Sequence, residues 1–276
     1  MPGIIIKSIS GDYDVYFQGK RTICKPLGIF RFQNISPKVG DRVDIEGTKI
    51  VKIYPRKNDL TRPSVSNVDK VFIITSFIEP DLNLNLLDRL ITLTEWEDIS
   101  AALVFTKADL IDLTKFQKVL EYYKKLGYPI FVLPQEMELL KQEINDSICV
   151  VAGQSGVGKS TLINSMGSLI ELKTGKISDA LGRGKHTTRH TELLSMGTGW
   201  IADTPGFGIL DLEMDLQSLS HTFREFFPHH CKFSTCLHLA EPGCQIKDKV
   251  ASGEILLSRY HHYQLFVEEI KEKRKY

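Results

Sequence analysis

The stretch that most constrains this chain runs from Ser147 to Asn164. An apolar run, Ile148-Cys149-Val150-Val151-Ala152, leads into Gly153-Gln154-Ser155-Gly156-Val157-Gly158-Lys159-Ser160 and then Thr161-Leu162-Ile163-Asn164. This is the pattern of a strand, a glycine loop and a helix. Glycines at this spacing let consecutive backbone N–H groups turn inward around a phosphate, and the helix N-terminus adds positive potential. Residues 153–161 are therefore read as a nucleotide-binding loop, with Lys159 on the β- and γ-phosphates and the Ser160 hydroxyl on Mg2+.

Such a loop needs a sheet around it, and the preceding residues supply one. Lys70–Thr75 reads as a fully buried strand, Asp88–Glu97 as a helix and Ala101–Phe105 as a second strand. Thr114–Leu126 reads as another helix, Pro129–Leu133 as a third strand and Glu136–Ile144 as a helix entering the phosphate-loop strand. Strands alternating with helices argue for a parallel sheet covered on both faces. Directly after the second strand stands Thr106-Lys107-Ala108-Asp109. A carboxylate there can accept from both N1–H and N2–H of guanine, a pairing adenine cannot make, while the lysine stem packs along the base. Thr106, Lys107 and Asp109 are the expected base readers.

Beyond the loop, Gly182-Arg183-Gly184-Lys185-His186-Thr187-Thr188-Arg189-His190 is glycine-rich and basic, with no apolar stripe. Glu192–Met196 and Gly199–Ala202 read as a strand pair closed by Asp203-Thr204-Pro205-Gly206. An Asp at a strand end followed by x-x-Gly suits a Mg2+ and γ-phosphate sensor. In an ordinary Ras-like GTPase the base reader comes last, whereas here it precedes the phosphate loop. One sheet accepts that order if its original ends are joined and the chain is opened elsewhere. The expectation is a circularly permuted GTPase.

The front of the chain differs. From Ile4 to Tyr54, five short β runs punctuated by glycines, with no convincing helix, fit a small barrel of the oligonucleotide-binding type. Residues 1–66 hold 12 Lys/Arg against 6 Asp/Glu, although the whole chain is only +1. Tyr13, Tyr16, Phe17, Phe30 and Phe32 interleave with these cations. The charge suggests a polyanion partner, RNA, with a solvated basic surface as the alternative, and the aromatics suit either base stacking or a barrel core. Pro55–Ser66 lacks periodicity and reads as a linker.

At the other end, Cys231, Cys236, His238 and Cys244 place three thiolates and an imidazole within fourteen residues, the pattern of a closed structural Zn2+ site. His229, His230, His261 and His262 read as surface or helix residues. Lys247–Lys275 reads as a helical tail, with Arg259, Lys271, Lys273, Arg274 and Lys275 giving a basic end. Five cysteines, an odd count with two in apolar runs, argue against a disulfide framework. No apolar run reaches membrane-spanning length and the start lacks a signal-like segment, so a cytoplasmic protein is expected.

Taken jointly, Thr106–Asp109, Gly153–Ser160, Gly182–Arg189, Asp203-Thr204-Pro205-Gly206-Phe207 and the Cys/His spacing resemble the RsgA (YjeQ/YloQ) family of small-ribosomal-subunit-dependent GTPases. The resemblance spans nearly the whole chain, including Arg62-Pro63 and Asn67-Val68-Asp69. It implies a multidomain protein: an N-terminal all-β OB-fold barrel with linker (1–66), a central α/β circularly permuted P-loop GTPase (67–220) and a C-terminal mostly helical zinc-binding domain (221–276). It further implies a monomer that binds 16S rRNA on the 30S subunit, acts late in its maturation and hydrolyses GTP to GDP and phosphate to drive its own or an assembly factor's release. In that scheme Lys159, His186, Asp203 and Gly206 are catalytic, and Thr187 or Thr188 stands near the metal.

Two positions depart from the wider GTPase pattern. Thr106 stands where Asn is usual, and Leu133-Pro134-Gln135-Glu136 stands where a Ser-Ala-Lys-like loop often backs the base. Phe207 occupies the place of a water-orienting Gln, so intrinsic turnover should be slow, with His186 expected to help orient the water once the basic loop docks. Arg183, Lys185 and Arg189 should make that docking salt-dependent. Two rival readings remain: an ATPase, which Asp109 argues against, and an rRNA-binding zinc protein in which nucleotide is at most a weak regulator.

Overall fold

All five strands expected at the front form: β1 (Gly3–Ile9), β2 (Asp12–Phe17), β3 (Lys20–Pro26), β4 (Arg42–Glu46) and β5 (Lys49–Ile53). The structure is a computed structural model that describes residues 2–167, 191–203 and 211–273. The strands pair in the order β1-β2-β3-β5-β4, and β4 returns to β1 to close the barrel. One helical turn, α1 (Ile29–Phe32), sits between β3 and β4, where the sequence showed no helix. Four residues carry no periodicity to read, and what holds this turn is Phe30, buried in the barrel core.

The run Ile4-Ile5-Ile6 has two destinations. Ile5 points into the barrel core with Val15, Val43 and Ile50, while Ile4 and Ile6 join the core of the next unit. Alternation along a strand sends neighbours to opposite faces, so β1 is apolar on both.

The expected linker is instead an ordered strap. It carries two short antiparallel strands, β6 (Asp59–Leu60) and β7 (Val65–Ser66), with Leu60 and Val65 buried. Asp41, fully buried, accepts from Arg56 Nε at 2.7 Å, Ser66 Oγ at 2.7 Å and the Lys38 amide at 2.7 Å. A buried carboxylate satisfied by several donors ties this segment to the barrel. The polar composition that suggested a linker supplies those donors.

The central sheet is built from β8 (Lys70–Ser76), β9 (Ser100–Thr106), β10 (Ile130–Val132), β11 (Ile148–Ala152), β12 (Glu192–Met196) and β13 (Gly199–Asp203). Its order is β10-β9-β8-β11-β13-β12; all neighbours are parallel except β12, which runs antiparallel to β13. Along β8, Val71 and Ile73 pack on one face, and Phe72 and Ile74 on the other. The first face is covered by α2 (Leu84–Trp96) and α3 (Gln117–Lys125); the second by α4 (Met137–Gln142) and α5 (Lys159–Ser165). Two covered faces explain why these strands read as continuous apolar runs. Helix α2 begins at Leu84, four residues before the expected start, because the Asn83 side chain caps it by accepting from the Leu86 amide. The barrel joins this sheet edge to edge through β1 and β12, so among the described residues one sheet of eleven strands runs through both units.

The C-terminal part holds α6 (Leu216–His221), α7 (Gln245–Ala251) and α8 (Leu257–Lys273). The single tail helix expected over Lys247–Lys275 is thus two, broken at Gly253, whose φ of +78° ends α7. Arg259, expected at a basic surface end, is instead 1 % exposed and packed against the nucleotide unit.

Candidate functional site

Parallel strands align their carboxyl ends on one edge of the sheet, where ligands of such folds sit. That edge carries Thr106 at the end of β9, Gly153 after β11 and Asp203 at the end of β13. The base reader and the phosphate loop come together here.

The loop after β11 needs glycine at its first and last turns. Gly153 has φ +147°, and a Cβ there would lie 2.2 Å from the Ile74 carbonyl oxygen. Gly158 enters α5 from the left-handed region at φ +94°. Lys159 Nζ donates to the Gly153 and Gln154 carbonyls at 2.9 and 2.6 Å, which sets its ammonium across the loop. Val157 is buried beneath, whereas Gln154, Ser155, Gly156 and Thr161 are exposed and Ser160 is half-buried.

Thr106 does what its hydroxyl allows. Its Oγ1 lies 2.8 Å from the Val157 carbonyl oxygen and 3.3 Å from that of Thr75, so the threonine ties the end of β9 to the glycine loop. Lys107, at φ +61°, donates its ammonium to the Glu79 carbonyl. Asp109 is exposed on the following turn, Ala108–Leu110. The altered loop after β10 backs this turn by main chain, because the Ala108 amide donates to the Leu133 carbonyl at 3.1 Å. Backbone groups are common to all residues, which is how Leu133-Pro134 can stand in for another sequence.

Sequence reasoning missed the segment from Phe77 to Asn83. It leaves β8 at the same edge, stacks Phe77 on Phe105 with centroids 5.2 Å apart, and supports Lys107 through Glu79. The available signal was the buried strand Lys70–Thr75, whose carboxyl end had to emerge beside the other two.

Asp203 closes β13 and lies opposite Glu192 of β12. His186, Thr187, Thr188 and Gly206, with Arg183, Lys185, Arg189 and Phe207, lie outside the described residues.

The second constellation assembles fully. The ligand atoms of Cys231, Cys236, His238 and Cys244 all lie within 4.8 Å of one another. His238 Nδ1 is 3.6 Å from Cys231 Sγ and 3.5 Å from Cys244 Sγ. A tetrahedral zinc with ordinary Zn–S and Zn–N bonds has an N···S edge of about 3.6 Å, so the donor set fits that geometry. Burial pushes the Cys236 thiol up to about 12 and the His238 imidazole down to about 4. Charged forms are disfavoured here, so thiolates would be stable only around a cation. The knuckle is held by Glu241, which accepts from the Leu237 and Leu239 amides, and by Tyr260 and Tyr263 of α8, which donate to the His238 and Leu237 carbonyls. His229, read as a surface or helix residue, sets its ring 4.8 Å from that of His238.

The basic front also resolves. Lys7, Arg21, Lys38, Arg56 and Lys57 form ion pairs within the protein, while Lys20, Arg31, Arg42, Lys49 and Arg62 are exposed. Of the interleaved aromatics, Tyr13 and Phe30 are buried core, and Phe32 is 90 % exposed.

A glycine loop of the phosphate-binding pattern, the Thr106–Asp109 strand end and an acidic strand end on one edge, met along the chain with Thr106–Asp109 first, are the arrangement of a circularly permuted P-loop GTPase. Residues 53–213 match the RsgA GTPase family and residues 2–51 the RsgA N-terminal domain. The chain belongs to the RsgA GTPase family. Among its relatives are the small ribosomal subunit biogenesis GTPases RsgA of Bacillus cytotoxicus, 42 % identical, and of Geobacillus sp. strain WCH70, 44 % identical; each match covers 99 % of this chain and 98 % of the relative. Two crystal structures are similar at 34 % identity. YloQ, described as a circularly permuted GTPase, has a TM-score of 0.82 over 98 % of this chain and 95 % of its own. YjeQ from Thermotoga maritima has a TM-score of 0.81 over 97 % of this chain and 98 % of its own.

Proposed function

We propose that this protein hydrolyses GTP in the biogenesis of the small ribosomal subunit, as a cytoplasmic monomer activated by 16S rRNA on the 30S particle. The observation that carries the reading is the 2.8 Å bond from Thr106 to Val157, which ties the turn proposed to read guanine to the loop proposed to hold the phosphates. Asp109 selects guanine, residues 153–161 cradle the phosphates, and Lys159 offsets their charge. Mg2+ bound with GTP, held by Ser160 and Asp203, would supply charge neutralisation between the β- and γ-phosphates. Thr187 or Thr188 near that metal, Gly206 as sensor and His186 as water-orienting group complete the assignment. Cys231, Cys236, His238 and Cys244 hold one structural Zn2+. The units are 1–66 for RNA, 67–220 for nucleotide and 221–276 for zinc.

The test is GTP hydrolysis at physiological salt with and without purified 30S subunits, with 50S as control. Stimulation by 30S alone, abolished by Lys159→Ala, is the expected result. Equal rates with and without 30S would overturn the subunit-activated reading, and competition by ATP as effective as by GTP would overturn the guanine assignment.

A further inference from the structure

The seam between the barrel and the nucleotide unit is a row of opposed residues. Strands β1, β12 and β13 lie side by side, with Lys7 opposite Glu192 and Glu192 opposite Asp203. The row continues into the barrel, where Lys7 lies opposite Asp14 of β2. Lys7 Nζ is 2.6 Å from Glu192 Oε2, Arg21 Nη2 is 3.3 Å from Glu192 Oε1, and Arg21 also pairs with Asp14. Both oxygens of Glu192 are therefore held by barrel cations. A second contact crosses the same seam: Tyr16 of β2 and Trp200 of β13 meet edge to face, with centroids 5.1 Å apart at 72°.

The hairpin gripped in this way joins the two stretches that the proposed chemistry needs. Thr191 alone separates Glu192 from the basic stretch ending at His190, and Asp203 leads directly into Thr204-Pro205-Gly206. The barrel touches both strands of the hairpin, Glu192 on β12 and Trp200 on β13. Ladder-bonded strands slide or tilt together, because a shift of one residue would break every pairing. A catalytic group is sensitive to displacement well below that scale.

We infer that Lys7 and Glu192 are positioning residues that transmit a displacement of the barrel, caused by RNA bound to it, to Asp203, whose resting place is set by the β11–β13–β12 ladder. This rests on the function proposed above and adds the route of its regulation. Among the described residues Lys7 and Tyr16 touch Glu192 and Trp200 of the hairpin, not the phosphate loop, so their loss breaks the transmission while the loop that binds nucleotide is untouched.

The experiment compares Lys7→Met combined with Tyr16→Leu, the conservative Lys7→Arg, and the unmodified chain. Read out are intrinsic GTP hydrolysis, hydrolysis at saturating 30S, sedimentation with 30S, and amide hydrogen exchange over residues 192–203. The double variant is expected to lose about tenfold in stimulation at saturating 30S. Its intrinsic rate and 30S affinity should stay within about twofold, because the phosphate loop and the exposed barrel cations are unchanged, and the hairpin amides should exchange about fivefold faster. Lys7→Arg should keep all four readings at the values of the unmodified chain. Full stimulation at saturating 30S, unchanged exchange, or a rise in intrinsic rate would each overturn the inference. If the unmodified chain were not stimulated by 30S at all, the proposed function would fail instead, and the exchange comparison would still decide whether the barrel grips the hairpin.

Discussion

The nucleotide unit meets its neighbours through two seams of opposite character. At the barrel seam the charges are near the surface: the side chains of Lys7 and Glu192 are each 25 % exposed. At the C-terminal seam they are sealed. Arg259 of α8 donates to Asp88 of α2 at 2.7 Å and to Glu225 at 2.7 Å, with Arg259 and Asp88 each 1 % exposed. Tyr123 donates to the same Asp88, Tyr122 to Glu225 at 3.2 Å, and His262 Nδ1 lies 2.5 Å from Asp88 Oδ2. Burial opposes the Arg259 charge, but Asp88 and Glu225 outweigh it and hold the guanidinium ionised. Leu93 of α2 also enters the aromatic core of Phe223, Phe226, Tyr263 and Phe266.

The difference teaches where movement is cheap. An exposed pair rearranges at the cost of a fraction of a kcal/mol, roughly 0.2–1. A buried pair that loses one partner leaves an uncompensated charge, at about 3–5 kcal/mol. The C-terminal unit is therefore fastened to α2 by buried charge, whereas at the barrel seam Ile4 and Ile6 hold by apolar contact and the charges are the part that rearranges cheaply.

The largest expected effect comes from breaking the sealed seam. Arg259→Met should destabilise the protein by about 3–5 kcal/mol in urea unfolding, because Asp88 and Glu225 lose their cation. Arg259→Met combined with Asp88→Leu, Glu225→Met, Tyr122→Phe and Tyr123→Phe, which removes the ion pairs together with the hydroxyls bonded to them, should recover part of that loss, with His262 still lacking its acceptor. No recovery at all would show that the loss does not come from the unpaired carboxylates.

Next in size is the barrel seam. Lys7→Met should cost roughly 0.5 kcal/mol in the same assay, and raising salt should shrink that difference. A loss as large as that of Arg259→Met would erase the contrast.

The smallest effect sharpens the comparison at the rim of the sealed seam. A hydrogen bond from Arg89 holds the Glu269 carboxyl below the usual carboxylate range. The unfolded chain then takes up the proton first, so this contribution is complete above about pH 4.3 and is lost as pH falls through the lower folded value. Urea unfolding of the unmodified chain and Glu269→Gln should differ at pH 7 and converge toward pH 3. A gap that widened in acid would reverse the sign.

Much of this was legible in the sequence. Gly153–Ser160 and Cys231–Cys244 are contiguous, so their spacing encodes the local geometry. The five barrel strands were marked by glycines between β-branched runs, and the parallel strands by unbroken apolar character. Other readings failed because the deciding partner lies far off. Arg259 looks like tail charge until α8 meets α2, 171 residues earlier. The segment from Phe77 to Asn83 has no motif of its own; its role comes from lying between β9 and β11. Thr106 looked like a departure from the Asn pattern, yet a hydroxyl at the right depth reaches Val157.

By itself, the sequence determined the permuted order of motifs, the phosphate loop, the Cys/His donor set and the family, since each depends on residue types at short, rigid spacings. Only the tertiary structure decided which charges are buried and which face water, that the stretch after Tyr54 is a strap, and that barrel and nucleotide strands form one sheet. Those outcomes depend on pairings such as Lys7 with Glu192, 185 residues apart. Charge and hydropathy along a chain are local, whereas the cost of burying a charge is set by which distant group arrives beside it.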